Sequence, residues 1–535
     1  MNLRILGGVA LAAAALAVTP AAAQDSGRTS VTPYIELSQV LTADVQSGDV
    51  LTYSSAAVGV DATTSTRRLV ASISARYEHQ FAWRKQDSDA DIITGAANVR
   101  ANVARGLSIE GGALATRSRT DIRGDAPVFF NGSDNNVSKI YSGYVGPTLA
   151  TGTGPVFLNA GYRYGYTKVT SPGATGVAPG SPRLDVFDQS QTQDANVSTG
   201  FKSGTLLPFG VTLSGGWQRE DQNQLDARFD DLYGRGDVIM PVGRTLALEA
   251  GVGYEKITSS SRDPIVDGTG TPLVDANGRF ETDKSSPRRI AYRTDGIYYD
   301  AGVVWRPSPR TMFEARVGRR YDDWSVTGSF SYAPGQGVGV QVGVYDGVQT
   351  FGRQLQQGIQ GLPDQFSSTR DALAQQFNGC TFGTKGGGAA GACLNSALQS
   401  ISTSTYRARG VDLSVSMTRG HNTLGFGAGY ANRRYFAPDG SGFIVNGITD
   451  QSYYAQVFYS TPIGRFANFN ADVFANYFES GLQNSGIYSV GATGSLTRGF
   501  GRLSTSASVG IFNFSSENHD DQTSLQAQLG ARYHF

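Results

Sequence analysis

The chain has 535 residues, with 45 Lys and Arg balanced by 45 Asp and Glu, so it carries no net charge and offers no basic surface for nucleic acid. Hydrophobic residues make up only 39%, and no stretch past the amino terminus approaches the roughly twenty continuous apolar residues of a membrane helix. A helical membrane protein is thereby excluded, while 68 Gly, 25 Tyr and 27 Phe suit a large β-structure.

At the amino terminus, Arg4 precedes an apolar run from Ile5 to about Val18, and Ala21, Ala22 and Ala23 stand before Gln24. This is the layout of a secretory signal peptide, 1–23, cleaved after Ala23. No composition break divides the mature chain, 24–535, so one domain is expected.

From there the residues alternate between apolar and polar, as strands with two unlike faces do. The first five segments lie near 30–43, 51–63, 67–81, 92–104 and 107–116. In the third, Leu69, Ala71, Ile73, Ala75 and Tyr77 oppose Ser72, Ser74, Arg76 and Glu78. The sixth to eleventh lie near 139–150, 156–167, 193–202, 211–218, 227–240 and 245–256, the twelfth to fifteenth near 296–306, 312–321, 325–333 and 338–350. Periodicity fails over 351–403 and resumes at 405–418, 423–435, 451–461, 466–478, 487–497, 503–513 and 523–535, about 22 segments in all.

The last segment sets the sidedness. Leu525, Ala527, Leu529, Ala531, Tyr533 and Phe535 form an apolar row; Ser524, Gln526, Gln528, Gly530, Arg532 and His534 form the row behind it. Such a strand, ending on Phe535 with Tyr533 two places before, resembles the closing strand that bacterial outer-membrane barrels present to their assembly machinery. If it ends in the periplasm, alternate connections must be periplasmic and short. Counting back, the connections at 499–501, 462–465, 419–422, 334–337, 307–310, 241–244, 152–155 and 105–106 all fall on that side, and every long loop falls on the other. Strands in hydrocarbon must close on themselves, because unpaired backbone groups there cost several kcal/mol each. The expected fold is therefore all-β: a transmembrane antiparallel up-and-down β-barrel of about 22 strands with a small, partly helical insertion. Tyr77, Tyr166, Trp217, Tyr254, Trp305, Tyr321, Tyr459 and Tyr477 fall near the ends of apolar rows, where interfacial girdles belong.

The stretch Arg306-Pro-Ser-Pro-Arg-Thr-Met-Phe-Glu-Ala-Arg-Val-Gly-Arg-Arg-Tyr321, followed by Gly328-Ser-Phe-Ser-Tyr332, is similar to a segment of large outer-membrane barrels linked to exopolysaccharide and PEP-CTERM sorting systems. Val31-Thr-Pro-Tyr-Ile-Glu-Leu-Ser-Gln-Val-Leu-Thr-Ala-Asp44 resembles that family's first strand. The resemblance implies a porin-like barrel in the outer membrane of a Gram-negative bacterium, with polysaccharide as a partner beside membrane lipid and the assembly machinery. It carries over no catalytic residue and no cofactor.

Charged residues opposite the apolar rows are the lumen-lining candidates: Arg76, Glu78, Arg100, Arg163, Glu249, Glu255, Asp300, Arg306, Glu314, Arg316, Arg320, Asp472 and Arg532. They either tune which solutes pass or pair across strands and fill the bore. Both signs occur, so strong ion selectivity is not expected. Within 351–403, residues 371–377 and 394–401 suit short helices flanking Cys380 and Cys393, which an oxidising compartment would join as a disulfide. No His lies in the insertion, and no metal site is expected there. Parity puts it on the extracellular side, where it caps the mouth, folds into the bore, or serves as a surface loop without a transport role.

Catalysis has little support. The topology scatters His79, His421, His519 and His534 between lumen, periplasmic turn, outer loop and final strand, and His519-Asp520-Asp521 reads as a solvated tip. Asp87-Ser-Asp-Ala-Asp91 lacks the spacing of a Ca²⁺ loop, and Asp275-Ala-Asn-Gly278 is ordinary turn chemistry. Two functions remain: a transport conduit, for exopolysaccharide export or small-solute uptake, and a structural barrel that anchors surface polysaccharide without transport. A TonB-type transporter is disfavoured, since strands beginning near Ser30 leave no room for an amino-terminal plug.

Overall fold

The computed structural model describes residues 29–83, 90–123, 136–172, 185–335, 337–362, 366–370, 373, 377–383, 391–398, 401–439, 445–482, 485–516 and 519–535. The expected signal peptide and most of Asp87 to Asp91 lie outside them.

Fifteen strands precede the insertion: β1 Thr29–Asp44, β2 Val50–Ser65, β3 Leu69–Ala82, β4 Ala90–Ala104, β5 Leu107–Arg119, β6 Val137–Thr153, β7 Val156–Thr170, β8 Gln189–Phe201, β9 Gly210–Gln222, β10 Arg228–Pro241, β11 Leu246–Ser261, β12 Arg289–Ser308, β13 Thr311–Arg320, β14 Asp323–Gly335 and β15 Val338–Gln349. The insertion holds helix α1 (Phe351–Gln360), a three-stranded sheet of β16 (Phe366–Arg370), β17 (Phe377–Gly383) and β18 (Gly391–Cys393), and helix α2 (Asn395–Leu398). The wall resumes with β19 Thr405–Arg419, β20 Asn422–Phe436, β21 Thr449–Ile463, β22 Ala467–Ser480, β23 Ser485–Phe500, β24 Leu503–Ser516 and β25 His519–His534.

Each wall strand pairs antiparallel with the next, and β25 pairs with β1 from Tyr34↔His534 to Asp44↔Ser524, closing a ring of 22 strands. Closure leaves no free edge along the seam, as hydrocarbon requires. The faces follow the alternation: Leu525 and Leu529 are 47% and 68% exposed on the outside, while Gln526 and Gln528 are 5% exposed on the inside. Connections at the end holding the chain termini are short, and several turn on a glycine with positive φ, among them Gly464 at +67° and Gly501 at +70°. We call this end the turn face; the long segment 262–288 lies at the opposite, loop face.

The wall is lowest at the β13–β14 hairpin. Its two-residue turn, Tyr321 and Asp322, has φ of 57° and 59°, the left-handed geometry that a tight hairpin demands. Tyr321 therefore leaves the outer girdle expected for it. Its ring packs on the inner residues Phe229 and Ile257, with the Arg320 guanidinium 4.8 Å and the Arg407 guanidinium 5.1 Å from its centre. Tyr77, Tyr166, Tyr254, Trp305 and Tyr459 stand exposed on the outer face, and Tyr477 joins an outer row in which Tyr430, Tyr453, Tyr477 and Tyr488 sit side by side on β20 to β23. Above Gly328↔Val344 the β14–β15 pairing stops; there Arg407 bonds Asp346 at 2.8 Å and reaches Asp323 at 3.3 Å, stitching the gap with charge.

Candidate functional site

The described parts of the insertion pack against the inner wall, inside the bore. Phe351, Leu355 and Ile359 recur at every fourth residue of α1, so one stripe of the helix is apolar, and all three are fully buried beside Leu114, Ile140, Tyr144 and Phe187. Burying each contributes roughly 1.5–3 kcal/mol, enough to hold a helix that would not persist alone in water. Its polar side meets the wall as well: Gln356 bonds the Thr192 hydroxyl, Arg353 bonds Gln218, and Arg353 lies 4.2 Å over the Phe229 ring. Thr350, which precedes the helix in extended backbone, spends its hydroxyl on Glu220 rather than on a cap. The Gly361 amide bonds the Gln357 carbonyl at 3.0 Å and ends the helix.

Cys380 and Cys393 form the expected disulfide, and they pair directly across β17 and β18. It packs with Tyr454 and Phe458 against the inner wall, where a side chain at Gly427 would come within 2.8 Å of both sulfurs. Two further bonds fix the insertion across the bore: Asn98 Nδ2 donates to the Leu362 carbonyl at 3.0 Å, and Ser118 Oγ to the Leu398 carbonyl at 2.8 Å. Of the two helices expected here, 394–401 contains α2, whereas most of 371–377 lies outside the described residues and Phe377 begins a strand. Sequence reading passed over α1, although its four-residue recurrence was visible.

The wall away from α1 carries a lattice of ion pairs. Arg235 binds Asp237 at 2.7 Å and Asp300 at 2.6 Å; Arg316 binds Asp237 and Glu249 at 2.8 Å, Glu314 at 3.1 Å and Asp300 at 3.5 Å. Six charged side chains on β10 to β13 thus share one sheet of contacts, and next to it Arg320 pairs with Glu255. Glycines make this layer possible. A Cβ on Gly318 would sit 2.6 Å from Asp300 Cβ, one on Gly302 would sit 2.8 Å from Arg316 Cγ, and one on Gly251 would overlap the Arg235 guanidinium.

A second cluster locks the closing seam: Arg76 reaches Glu36 at 3.1 Å and Glu78 at 2.9 Å, while Arg532 bonds Glu36 at 2.6 Å. Arg100 and Arg163 converge on Glu110 at 2.6 and 3.6 Å, and Asp472 accepts from Gln456 at 2.8 Å. Arg306 is exposed near the turn face and takes no part in the lattice. Beside the seam cluster, a polar cavity of about 960 Å³ opens between β1–β3 and β21–β25, lined largely by hydroxyls and amides such as Ser72, Thr493, Ser495, Ser506 and Asn470. The candidates thus form separate groups rather than one site. Arg235, Asp237, Glu36 and Glu110 were missed, although the same alternation places each on the inner row.

His79 is a correction. It stands on the outer face with Tyr77, 4.5 Å from the Phe81 ring centre and 2.8 Å from Asp91, not in the lumen. Asp275 bonds the Asn277 and Arg279 amides at 2.8 and 2.9 Å, an ordinary turn as expected.

No protein-family profile matches the chain, and no curated protein does. Among solved structures it is similar to the FrpB iron transporter from Neisseria meningitidis (F3-3 variant), at 10% identity and a TM-score of 0.42, covering 94% of this chain and 81% of that one. The ferric-catecholate import receptor Fiu from E. coli K12 gives 9% identity, a TM-score of 0.42 and the same coverage. The alcaligin outer membrane receptor FauA from Bordetella pertussis gives 11%, 0.38, and coverage of 93% and 76%. The chain is an all-β protein whose 22 antiparallel strands close into a barrel.

Proposed function

We propose that this chain is an outer-membrane conduit of a Gram-negative envelope, exported by its amino-terminal 23 residues, with the turn face in the periplasm and the insertion as a constriction within the bore. The observation that carries this reading is the seat of the Cys380–Cys393 disulfide against Gly427 on the inner wall. An insertion serving only the cell surface has no need of a glycine socket in the lumen. The polar cavity at the seam gives solutes room on the periplasmic side, and its hydroxyl and amide lining suits polyhydroxylated solutes, exopolysaccharide fragments included. Tyr533 and Phe535, on the outer row of the final strand, suit recognition by the barrel-assembly machinery.

Planar-bilayer recording tests the conduit. Deleting 351–403 should raise single-channel conductance severalfold over the full chain. A deletion variant that retains the heat-modifiable gel mobility of a folded barrel yet passes no current removes the conduit. The structural reading, a closed barrel anchoring surface polysaccharide, is favoured by the way loop 262–288 is drawn over the mouth, where Arg279 reaches Asp188 at 3.1 Å and the Val169 carbonyl at 2.8 Å. Polymer retention that persists after that loop is trimmed argues against it.

A further inference from the structure

We propose that the lattice on β10 to β13 is the selectivity element of the bore and passes cations in preference to anions; this rests on the conduit reading above. Sequence alone suggested no strong selectivity because the lumen-lining candidates carry both signs. The structure separates them. In the lattice, four carboxylates (Asp237, Glu249, Asp300 and Glu314) surround two guanidiniums, Arg235 and Arg316. Both cations are engaged by several acids at once, so the formal surplus is two negative charges.

The surplus is a matter of local bonding as well as of counting. The Glu249 side chain is only 4% exposed, and while Arg316 holds its Oε2, its Oε1 is buried without a hydrogen-bond donor. A buried carboxylate oxygen with no donor is costly and is stabilised by any cation that approaches. In the neighbouring layer Glu255 is matched one to one by Arg320, so the surplus is confined to the lattice itself.

Geometry makes the lattice a lining rather than a barrier. Its side chains lie along the wall over Gly251, Gly302 and Gly318, where any larger residue would push the charges into the bore. Apart from Arg353 over Phe229 at the loop-face end of β10, the contacts of α1 and the disulfide fall on other strands, so the insertion and the six-residue lattice occupy different parts of the circumference. An ion moving past the insertion on the lattice side meets a negative surface. Two uncompensated charges at about 6 Å in water enrich a cation roughly tenfold and exclude an anion by the same factor, and screening over about 10 Å at 0.1 M salt reduces each factor to about three.

The experiment is reversal-potential measurement on the full chain in planar bilayers under a KCl gradient, with K⁺ and Cl⁻ as probes. The expected K⁺/Cl⁻ permeability ratio is about ten near 0.1 M. It should approach unity in Glu249→Gln/Glu314→Gln, which neutralises the surplus at nearly constant shape. Because that variant disturbs the lattice, Ser329→Lys serves as an independent probe; Ser329 is directly opposite Glu314 on β14, so it adds a cation while leaving the six side chains in place. Its ratio should also fall. Current with a ratio at or below one, or a ratio unmoved by both variants, overturns the filter and leaves the conduit standing. A barrel silent both with and without 351–403 overturns the conduit and the filter together.

Discussion

Replacing Asp185 with Asn should abolish a pH-dependent loosening of the mouth. Asp185 lies between β7 and β8, where its Oδ1 accepts the Gln224 side chain at 2.7 Å and the Phe280 amide at 3.0 Å. The adjoining backbone is bridged to the end of the insertion: Val186 pairs with Ser402, the Thr403 amide reaches the Asp185 carbonyl and the Phe187 amide the Ile401 carbonyl, both at 3.4 Å. The carboxyl thus joins three mouth loops, and the backbone that carries it is tied to the insertion. Burial pushes this carboxyl up to about 7 from an ordinary 3.8, against the opposing pull of the Phe280 amide, Gln224, Thr403 and Arg279. A carboxyl raised on closure favours the closed latch when protonated. The closed form is unpenalised below pH 3.8, loses stability as pH rises toward 7, and above 7 carries the full cost. Three pH units correspond to about 4 kcal/mol, a population change of roughly a thousandfold at most. Asn accepts the same two hydrogen bonds without a charge. Amide hydrogen exchange at Phe187, Phe280 and Thr403, corrected for intrinsic rates, should show protection falling at least tenfold between pH 5 and 8 in the native chain and staying level in Asp185→Asn. Equal protection in both proteins at pH 8 refutes the latch.

Further perturbations separate the two faces and the two fillings of the bore. Leu529→Arg puts a charge on the lipid row and should cost about 2–4 kcal/mol in folding from urea into vesicles, whereas Gln528→Arg on the inner row should cost under about 1 kcal/mol; equal costs would invert the assignment. Arg76→Ala leaves Glu36 and Glu78 facing each other at the closing seam and should destabilise by about 3–5 kcal/mol, read as a lower urea midpoint with unchanged slope. Gly427→Leu fills the disulfide's socket; overpacking of about 1–3 kcal/mol should displace the β16–β18 sheet and raise conductance, while an unchanged current means that the sheet does not obstruct the path.

The strands were legible because lipid on one side and a wet interior on the other enforce a period of two over each span, and the alternation of short and long connections checked the count. Inner charges followed from the same parity. Their partners did not: Arg532 meets Glu36 across the closing seam, and Arg316 meets Asp237 three strands away, so pairing depends on the curvature and stagger of the wall rather than on local pattern. Tyr321 was misplaced because a tyrosine at the end of a strand reads as a girdle residue, whereas the left-handed backbone of its two-residue turn directs it inward. Gly251, Gly302 and Gly318 carried no readable signal in a chain so rich in glycine; only the side chains that cross them show why they are small.

A ring of 22 strands encloses more space than the side chains of its own wall can fill. This chain fills it in two physically different ways. Around α1 the filling is apolar, held by Phe351, Leu355 and Ile359, and depends on hydrophobic burial, which added salt does not weaken. Along β10 to β13 it is ionic and in contact with lumenal water, Arg235 and Arg316 being 14% and 23% exposed. In 1 M KCl the screening length falls to about 3 Å, so the lattice's cation preference should collapse while the insertion stays seated. Conductance through the full chain should then scale with bulk salt and show no step increase. A step toward the conductance of the 351–403 deletion would mean that charge, rather than apolar packing, seats the insertion, and the division of the bore into a dry half and a wet half would be wrong.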